Sequence, residues 1–130
     1  MTTGPVTTGP VTTGPEPAGS ATLSTHVLDA TNGRPAAGVA VRLEHRGPDG
    51  WSPAGAGQTD ADGRLRLESG PGFEPGVYRI TFASGAYFEA REMASFYPEV
   101  MVTFEMTGQG GHYHVPLLLS PFAYSTYRGS

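Results

Sequence analysis

Cysteine and lysine are both absent from this sequence of 130 residues. Without cysteine the chain has no disulfide framework, no cysteine-ligated zinc and no thiol nucleophile. All eight basic residues are scattered arginines, and the net charge is −4, which argues against the basic surface that nucleic-acid binding needs. No apolar run reaches the roughly 18 residues of a membrane span. We therefore expect a protein that binds neither nucleic acid nor membrane.

The first 20 residues contain three copies of Thr-Thr-Gly-Pro and hold four glycines and four prolines. Two valines and Met1 are their only sizeable apolar side chains, too few to offset the entropy lost on ordering. The segment also lacks the basic start and apolar centre of a secretory signal. We therefore predict a disordered leader over residues 1–20, one folded domain over residues 21–130 and a cytoplasmic location.

The rest of the chain alternates apolar and polar residues with the period of two that is typical of half-buried strands. Turn-forming pairs such as Asn32-Gly33 and Asp62-Gly63 separate the alternating segments. The pattern predicts eight strands, over residues 23–28, 39–44, 51–57, 64–67, 78–82, 100–104, 112–119 and 122–128. Ala86 to Met93 does not alternate and is predicted as a short helix with Ser84 as its N-cap. Together these elements favour an antiparallel β-sandwich.

The predicted strand 112–119 is apolar on both of its faces. One face consists of Tyr113, Val115, Leu117 and Leu119, and the other of His112, His114, Pro116 and Leu118. A strand with two apolar faces needs cover on both sides. A second subunit on the outer face would supply that cover, so we expect a homo-oligomer.

The four histidines are the first candidates for chemistry. His45 continues the phase of the apolar positions near the end of its strand, where a structural role is expected. His112 and His114 share one strand face, and His26 lies on the outer face of its own strand. Such a set fits either a zinc or copper site or three surface histidines.

The segment Asp60-Ala61-Asp62-Gly63 is similar to the start of a calcium loop, but its glycine comes too early and the later ligands are missing. A hairpin turn accounts for Asp62-Gly63, and Arg64 then lies on the polar face. The sequence has no Gly-x-Ser-x-Gly elbow, no His-Glu-x-x-His helix and no phosphate-binding glycine loop. Any catalysis must therefore come from His, Arg, Tyr, Ser and carboxylate side chains on strands.

Several segments, taken in order, resemble the transthyretin-like family. The segment Ser24-Thr25-His26-Val27-Leu28-Asp29 with Gly33-x-Pro35-Ala36 resembles its first strand, and residues 112–121 resemble its penultimate strand. Between them, Thr59-Asp60-x-Asp62-Gly63-Arg64, Gly76-x-Tyr78, Tyr87-Phe88 and Phe96-Tyr97-Pro98 follow in family order. The closing Tyr127-Arg128-Gly129-Ser130 resembles the C-terminal signature of one branch, the 5-hydroxyisourate hydrolases. The resemblance extends from Leu23 to Ser130.

The resemblance implies an all-β fold, an antiparallel β-sandwich of two four-stranded sheets with one short helix. It implies a homotetramer, a dimer of dimers around a central channel that His26, His114, Pro116 and Leu118 would line. The implied activity is hydrolysis of 5-hydroxyisourate, a purine-derived small molecule, to 2-oxo-4-hydroxy-4-carboxy-5-ureidoimidazoline in urate catabolism. Water would attack a ring amide in that channel.

The resemblance also implies the catalytic residues, which are His26, Arg64, His114 and Ser130. Either histidine would serve as the base that activates water. Arg64 would bind the planar substrate and stabilise negative charge, and Ser130 would contribute its hydroxyl or its terminal carboxylate. The residues expected to shape the substrate pocket are Tyr127, Arg128, Gly129 and His112. This chemistry requires neither a metal nor a cofactor, and none is predicted.

Three alternatives stand beside the hydrolase interpretation. A carrier would bind a hydrophobic ligand in the same channel without turnover. A metal-binding module would use His26, His112 and His114. A structural β-sandwich such as an adhesion domain would be monomeric, which would leave the apolar outer face of strand 112–119 unexplained.

Overall fold

The computed structural model of the chain describes residues 21–107 and 111–130. The elements in this part of the chain are β1 (Thr22–Asp29), β2 (Arg34–Pro35), β3 (Ala40–Gly47), β4 (Gly50–Gln58), β5 (Arg64–Leu67), β6 (Gly76–Phe82), α1 (Ser84–Glu89), β7 (Val100–Met106), β8 (His112–Leu119) and β9 (Tyr124–Thr126). The predicted leader, residues 1–20, lies outside the described residues. The sandwich that the alternation predicts is confirmed.

Two sheets face each other across the core. The first has five strands: β1 and β8 lie at its centre, β9 follows β8, and β2 and β5 share the other edge of β1. The second has four strands in the order β4-β3-β6-β7. β1 and β8 run parallel, while the other strand pairs of the described chain are antiparallel. Because a parallel pair needs a long connection, residues far apart in sequence become neighbours on this sheet.

The alternation decides which side of each strand is buried. Leu23, Val27 and Leu117 have no exposed surface, whereas His26 and His114 on the same strands are only half-buried. The largest fully buried side chains are Tyr78, Phe82, Phe88, Leu23, Leu43 and Ile80. The histidine-bearing sides of β1 and β8 therefore face outward, away from the core.

The first sheet differs from the prediction of two four-stranded sheets by one short strand. β2 pairs with the end of β1, Leu28 with Pro35 and Asp29 with Arg34, so this sheet has five strands. The last strand is also shorter than predicted. Ser120 donates hydrogen bonds from both its backbone N–H and its hydroxyl to the carbonyl of Ala123, and this turn delays the start of β9.

The helix prediction is wrong at both ends. α1 covers Ser84–Glu89, its N-cap is Ala83 with no side-chain cap, and the Ser84 hydroxyl instead donates to the carbonyl of Tyr97 at 3.3 Å. The helix ends at Glu89, and in the turn that follows it Glu92 has a φ of +59°. No helix in the described part of the chain has the length and apolarity to cross a bilayer.

A buried contact joins the helix to the first sheet. The Tyr87 hydroxyl donates to Asp29 Oδ2 at 2.8 Å, and burial together with this carboxylate raises the pKa of Tyr87 to about 12. The end of β1, three residues beyond His26, is therefore held against the helix.

Candidate active site

The outer face of the five-stranded sheet carries candidate residues from three adjacent strands. His26 on β1 is opposite Arg64 on β5 and opposite Pro116 on β8. Two residues earlier, Ser24 is opposite His114 on β8. His26 and His114 are therefore diagonal neighbours, with their Cα atoms about 8 Å apart by the usual strand spacing and rise. The structure brings His26, Arg64 and His114 together on one face.

The orientation of the His26 ring is defined by a backbone carbonyl. Its Nε2 lies 2.9 Å from the carbonyl oxygen of Asp62. Because a carbonyl only accepts hydrogen bonds, Nε2 must carry the proton. The neutral ring then presents Nδ1 as an acceptor, which is the state that a general base requires.

The turn before β5 supplies this carbonyl and positions Arg64. Asp60 Oδ1 accepts the backbone N–H groups of Asp62 and Arg64, both at 2.9 Å, and the bond from Arg64 is the main reason why the pKa of Asp60 is lowered. Gly63 has a φ of +75°, and a Cβ there would collide with the carbonyl oxygen of Val27. A turn is present at Asp62-Gly63, but the expected hairpin is wrong, because the turn joins β4 of one sheet to β5 of the other. The turn packs against β1 beside His26.

Arg64 is exposed on the same face. Its neighbour Arg66 forms an ion pair with Glu68, with Nε and Oε2 2.8 Å apart. The guanidinium of Arg64 has no ion pair with any residue in the described ranges. It therefore has its donors available for a planar, electron-rich molecule bound beside His26.

Hydrogen bonds connect His114 to three further polar side chains. Ser24 Oγ lies 2.8 Å from His114 Nδ1 and also 2.8 Å from His112 Nε2. His112 Nδ1 is in turn 2.6 Å from Thr22 Oγ1. The order Thr22–His112–Ser24–His114 is a continuous hydrogen-bonded chain across β1 and β8.

The pKa of His114 is lowered from its ordinary value, chiefly because burial disfavours the charged ring. A hydrogen bond with Ser24 acts in the opposite direction. The nearby side chains of His112, His26 and Arg64 lower the pKa of His114 further. His114 is therefore a neutral imidazole near pH 7.

The C-terminal segment runs back along β8 to His114. The backbone N–H of Gly129 donates to the carbonyl of His114 at 2.9 Å, and a Cβ on Gly129 would collide with Cδ2 of the His114 ring. The Arg128 guanidinium lies 4.9 Å from the ring centroid of Tyr113. Tyr127 is 59% exposed and Ser130 is exposed. The structure therefore brings the backbone of Gly129 beside His114, with Ser130 next to it in the chain, while the side chain of Tyr127 is turned to solvent.

A cavity of about 280 Å³ lies between this C-terminal segment and β7. Its lining includes His114, Tyr113 and Arg128 but neither His26 nor Arg64. In a single copy of the chain, His26 and Arg64 therefore lie outside this cavity.

The fourth histidine lies elsewhere. The ring of His45 stacks on that of Tyr78, with centroids 4.4 Å apart and planes 8° from parallel. Within residues 21–107 and 111–130, no group of three His, Asp or Glu side chains is arranged to hold a metal ion.

Two contact residues of this face, Ser24 and Thr22, were absent from the sequence prediction. Both share the outward phase of His26 on β1, which is a signal that the alternation does contain. Their importance depends on the pairing of β1 with β8, which the alternation does not reveal.

Comparisons with known proteins show which family the chain resembles. A family model described as Transthyretin: HIUase/Transthyretin family matches residues 23–129. A Salmonella typhi protein named 5-hydroxyisourate hydrolase is 48% identical over 114 residues, which is 87% of this chain and 84% of that protein.

Two solved structures share the fold. The structure of Klebsiella pneumoniae 5-hydroxyisourate hydrolase superimposes with a TM-score of 0.75 at 36% identity, covering 85% of this chain and 100% of that one. The crystal structure of transthyretin from Sparus aurata gives 0.78 at 37% identity, covering 82% and 95%. Because an enzyme and a transthyretin superimpose almost equally well, the fold alone does not separate the two activities. The chain belongs to the HIUase/transthyretin family.

Proposed function

We propose that the chain is an enzyme that hydrolyses 5-hydroxyisourate to 2-oxo-4-hydroxy-4-carboxy-5-ureidoimidazoline in urate breakdown. The observation that carries this proposal is the meeting of His26, Arg64 and His114 on one sheet face. The relatives named 5-hydroxyisourate hydrolase support the same assignment. The reaction needs a base for water, a stabiliser for the oxyanion and a proton for the leaving ring nitrogen.

His26 is the base in this proposal. Its Nε2 donates to the Asp62 carbonyl, so Nδ1 is free to take a proton from the attacking water. General acid–base assistance of this kind contributes about 10²–10⁴-fold to rate.

Arg64 and His114 complete the polar set. The exposed guanidinium of Arg64 holds the substrate and stabilises the oxygen that becomes negative as water adds. His114, whose Nδ1 is engaged by Ser24, directs its Nε2 toward the substrate and gives the proton to the departing ring nitrogen. The two histidines thus divide the roles of base and acid.

The C-terminal segment forms the floor of the proposed site. Gly129 lets the backbone lie against the His114 ring, and Ser130 follows it with a hydroxyl next to the reacting atoms. Arg128 is held over Tyr113, and Tyr127 and His112 lie at the rim, where they would contact substrate.

We propose that the active form is a homotetramer. The outward face of β8 carries buried Pro116 and Leu118, which is 37% exposed, and Phe122 is 66% exposed. A second copy packed on this face would cover the apolar surface. It would also enclose His26 and Arg64, which the cavity of a single copy leaves outside.

The decisive experiment follows freshly prepared 5-hydroxyisourate by its ultraviolet absorbance with and without the full chain. We expect decay faster than the spontaneous rate and proportional to protein concentration. His114→Ala should lower kcat by about 10²–10⁴-fold, while sedimentation still reports an assembly of four chains. Decay at the spontaneous rate from a folded tetramer would instead favour the carrier alternative.

The pH dependence tests the state of His114. Because its pKa lies below the ordinary value of 6.5, the ring stays neutral until the pH falls through that lowered pKa. We therefore expect the ring signals of His114 in NMR spectra of the parent chain to titrate with a midpoint below pH 6.5. The same lowered pKa makes the folded state lose stability on the acid side, since the unfolded chain binds the proton first. A His114 midpoint above pH 6.5 would contradict this assignment.

A further inference from the structure

The hydrogen-bonded chain Thr22–His112–Ser24–His114 can donate its protons in either of two directions. A serine hydroxyl carries one proton, so Ser24 can donate to only one of the two imidazoles and must accept from the other. With Ser24 donating to His114 Nδ1, the His114 ring carries its proton on Nε2, and His112 donates from Nε2. With Ser24 donating to His112, His114 carries its proton on Nδ1 and presents a bare Nε2. The two directions of the chain therefore correspond to opposite tautomers of His114.

We infer that Ser24 and His112, together with Thr22, form a proton relay that sets the tautomer of His114 and returns a proton to it from solvent. Ser24, His112 and Thr22 are positioning residues in this scheme, since they act through His114. The inference rests on the proposed function only in assigning the leaving ring nitrogen as the final acceptor of the proton.

The protons balance along the relay. As the Nε2–H bond of His114 breaks and the leaving nitrogen gains that proton, His114 Nδ1 takes the proton of Ser24 Oγ. Ser24 Oγ takes a proton from His112 Nε2, His112 Nδ1 takes one from Thr22 Oγ1, and Thr22 takes one from solvent water. The hydroxide left in solvent matches the proton delivered, no electron changes hands, and no non-hydrogen atom needs to move.

The surroundings of His114 show why such a relay is useful. The ring is half-buried and lies near His112, His26 and Arg64, all of which disfavour its charged form. A neutral imidazole that gave up its Nε2 proton alone would become an imidazolate. Simultaneous protonation of Nδ1 by Ser24 keeps the ring neutral throughout. At the other end of the relay, Thr22 is partly exposed and its neighbour His112 is exposed, so this end has access to solvent.

Two variants separate the relay from simple packing. Ser24→Ala removes the hydroxyl that joins the two rings, whereas Ser24→Thr keeps a hydroxyl at the same position. We expect Ser24→Ala to lower kcat by about ten- to hundredfold, less than the ~10⁴-fold lost when a triad histidine is held in the wrong tautomer. KM should change little, and Ser24→Thr should restore most of the rate.

The pH dependence of kcat distinguishes the relay from a purely structural role of Ser24, because a loss of packing would not change its shape. Without the relay, His114 must be charged to act as an acid, so kcat of Ser24→Ala should rise as the pH falls toward the pKa of His114. His112→Gln, which can hydrogen-bond Ser24 but cannot carry a proton across its side chain, should show the same profile. Ser52→Ala, a matched serine on exposed β4 of the other sheet, should behave as the parent. A Ser24→Ala profile and kcat equal to those of the parent would overturn the relay.

A second measurement is independent of turnover. Two-bond ¹H–¹⁵N spectra of the full chain show which ring nitrogen of each histidine carries the proton. Ser24→Ala should change the tautomer populations of both His112 and His114, and Ser52→Ala should change neither. If the parent fails to hydrolyse 5-hydroxyisourate, the proposed function fails but this spectrum still decides the relay. Unchanged His114 signals in Ser24→Ala would refute it.

Discussion

Two arginines on the outer faces of the sandwich, Arg79 and Arg64, are used in opposite ways. On the four-stranded sheet, Arg79 donates to Glu44 at 2.6 Å and its guanidinium lies 4.2 Å from the centre of the Trp51 ring. On the five-stranded sheet, the guanidinium of Arg64 has no ion pair within the described chain. The charge of Arg79 is therefore satisfied internally, whereas that of Arg64 is available to a ligand.

The two histidines proposed as base and acid are each hydrogen-bonded through one ring nitrogen only. His26 uses Nε2 on a carbonyl and leaves Nδ1 available, and His114 uses Nδ1 on Ser24 and leaves Nε2 available. An internally satisfied group stabilises the fold, whereas a group that is oriented and left half-satisfied is ready to bind or react. An oriented side chain with an unused donor or acceptor therefore indicates the site more directly than residue type does.

The largest expected effect of this comparison is on kcat/KM, when one arginine on each face is replaced by glutamine. Arg64→Gln should lower kcat/KM by about 10²–10³-fold, the usual cost of removing one donor to a developing oxyanion, with little change in Tm. Arg79→Gln should leave turnover unchanged and lower Tm by a few degrees, since the Trp51 contact alone contributes about 0.5–1 kcal/mol. Steady-state kinetics and thermal unfolding of both variants measure the contrast. Unchanged turnover in Arg64→Gln would remove that residue from the site.

A smaller effect is expected from the turn that supports the site. Gly63 and Gly33 have nearly the same left-handed φ, +75° and +70°, but only at Gly63 would a Cβ meet the backbone of another strand. Gly33→Ala should cost about 1 kcal/mol through φ alone. Gly63→Ala should cost roughly 3 kcal/mol and also impair turnover, because it displaces the Asp62 carbonyl from His26. Urea unfolding and the absorbance assay test both.

Equal losses of stability in the two alanine variants would show that φ strain alone accounts for the glycine at position 63. In that case the close approach to the Val27 carbonyl would contribute nothing to the position of Arg64 or His26. A loss of turnover in Gly33→Ala would likewise contradict the contrast, since a Cβ at Gly33 would meet no other atom within 4 Å.

The alternation along the chain was enough to predict the sandwich and the outward direction of His26 and His114, because burial of one strand face leaves a local record in sequence. The bounds of α1 were mispredicted because Ser84 is a good cap by type but is used instead to bind the Tyr97 carbonyl. Its local preference gave way to a tertiary contact.

The neighbours of the site residues were less accessible to sequence analysis. His26 lies 38 positions before Arg64 in the numbering and Ser24 lies 90 positions before His114, and their pairing depends on the register of β1 with β5 and β8. A change of one residue in that register would turn every outward side chain inward. The family resemblance predicts which residues form the candidate site, whereas only the structure shows the strand pairing and the hydrogen bonds between them.

The smallest expected effect is on the free energy of unfolding, and it distinguishes a buried hydroxyl that is hydrogen-bonded from one that is not. Thr81 is a buried residue of β6 in the four-stranded sheet, and its hydroxyl has no hydrogen-bond partner within the described chain. The hydroxyl of Thr25 on β1 is also buried, but it donates to the carbonyl of Val115 at 2.6 Å. Thr81→Val should be neutral or stabilising by up to about 1 kcal/mol, and Thr25→Val should destabilise by about 1 kcal/mol. Equal losses on urea unfolding would mean that the Thr81 hydroxyl does have a partner, and the contrast between Thr81 and Thr25 would then disappear.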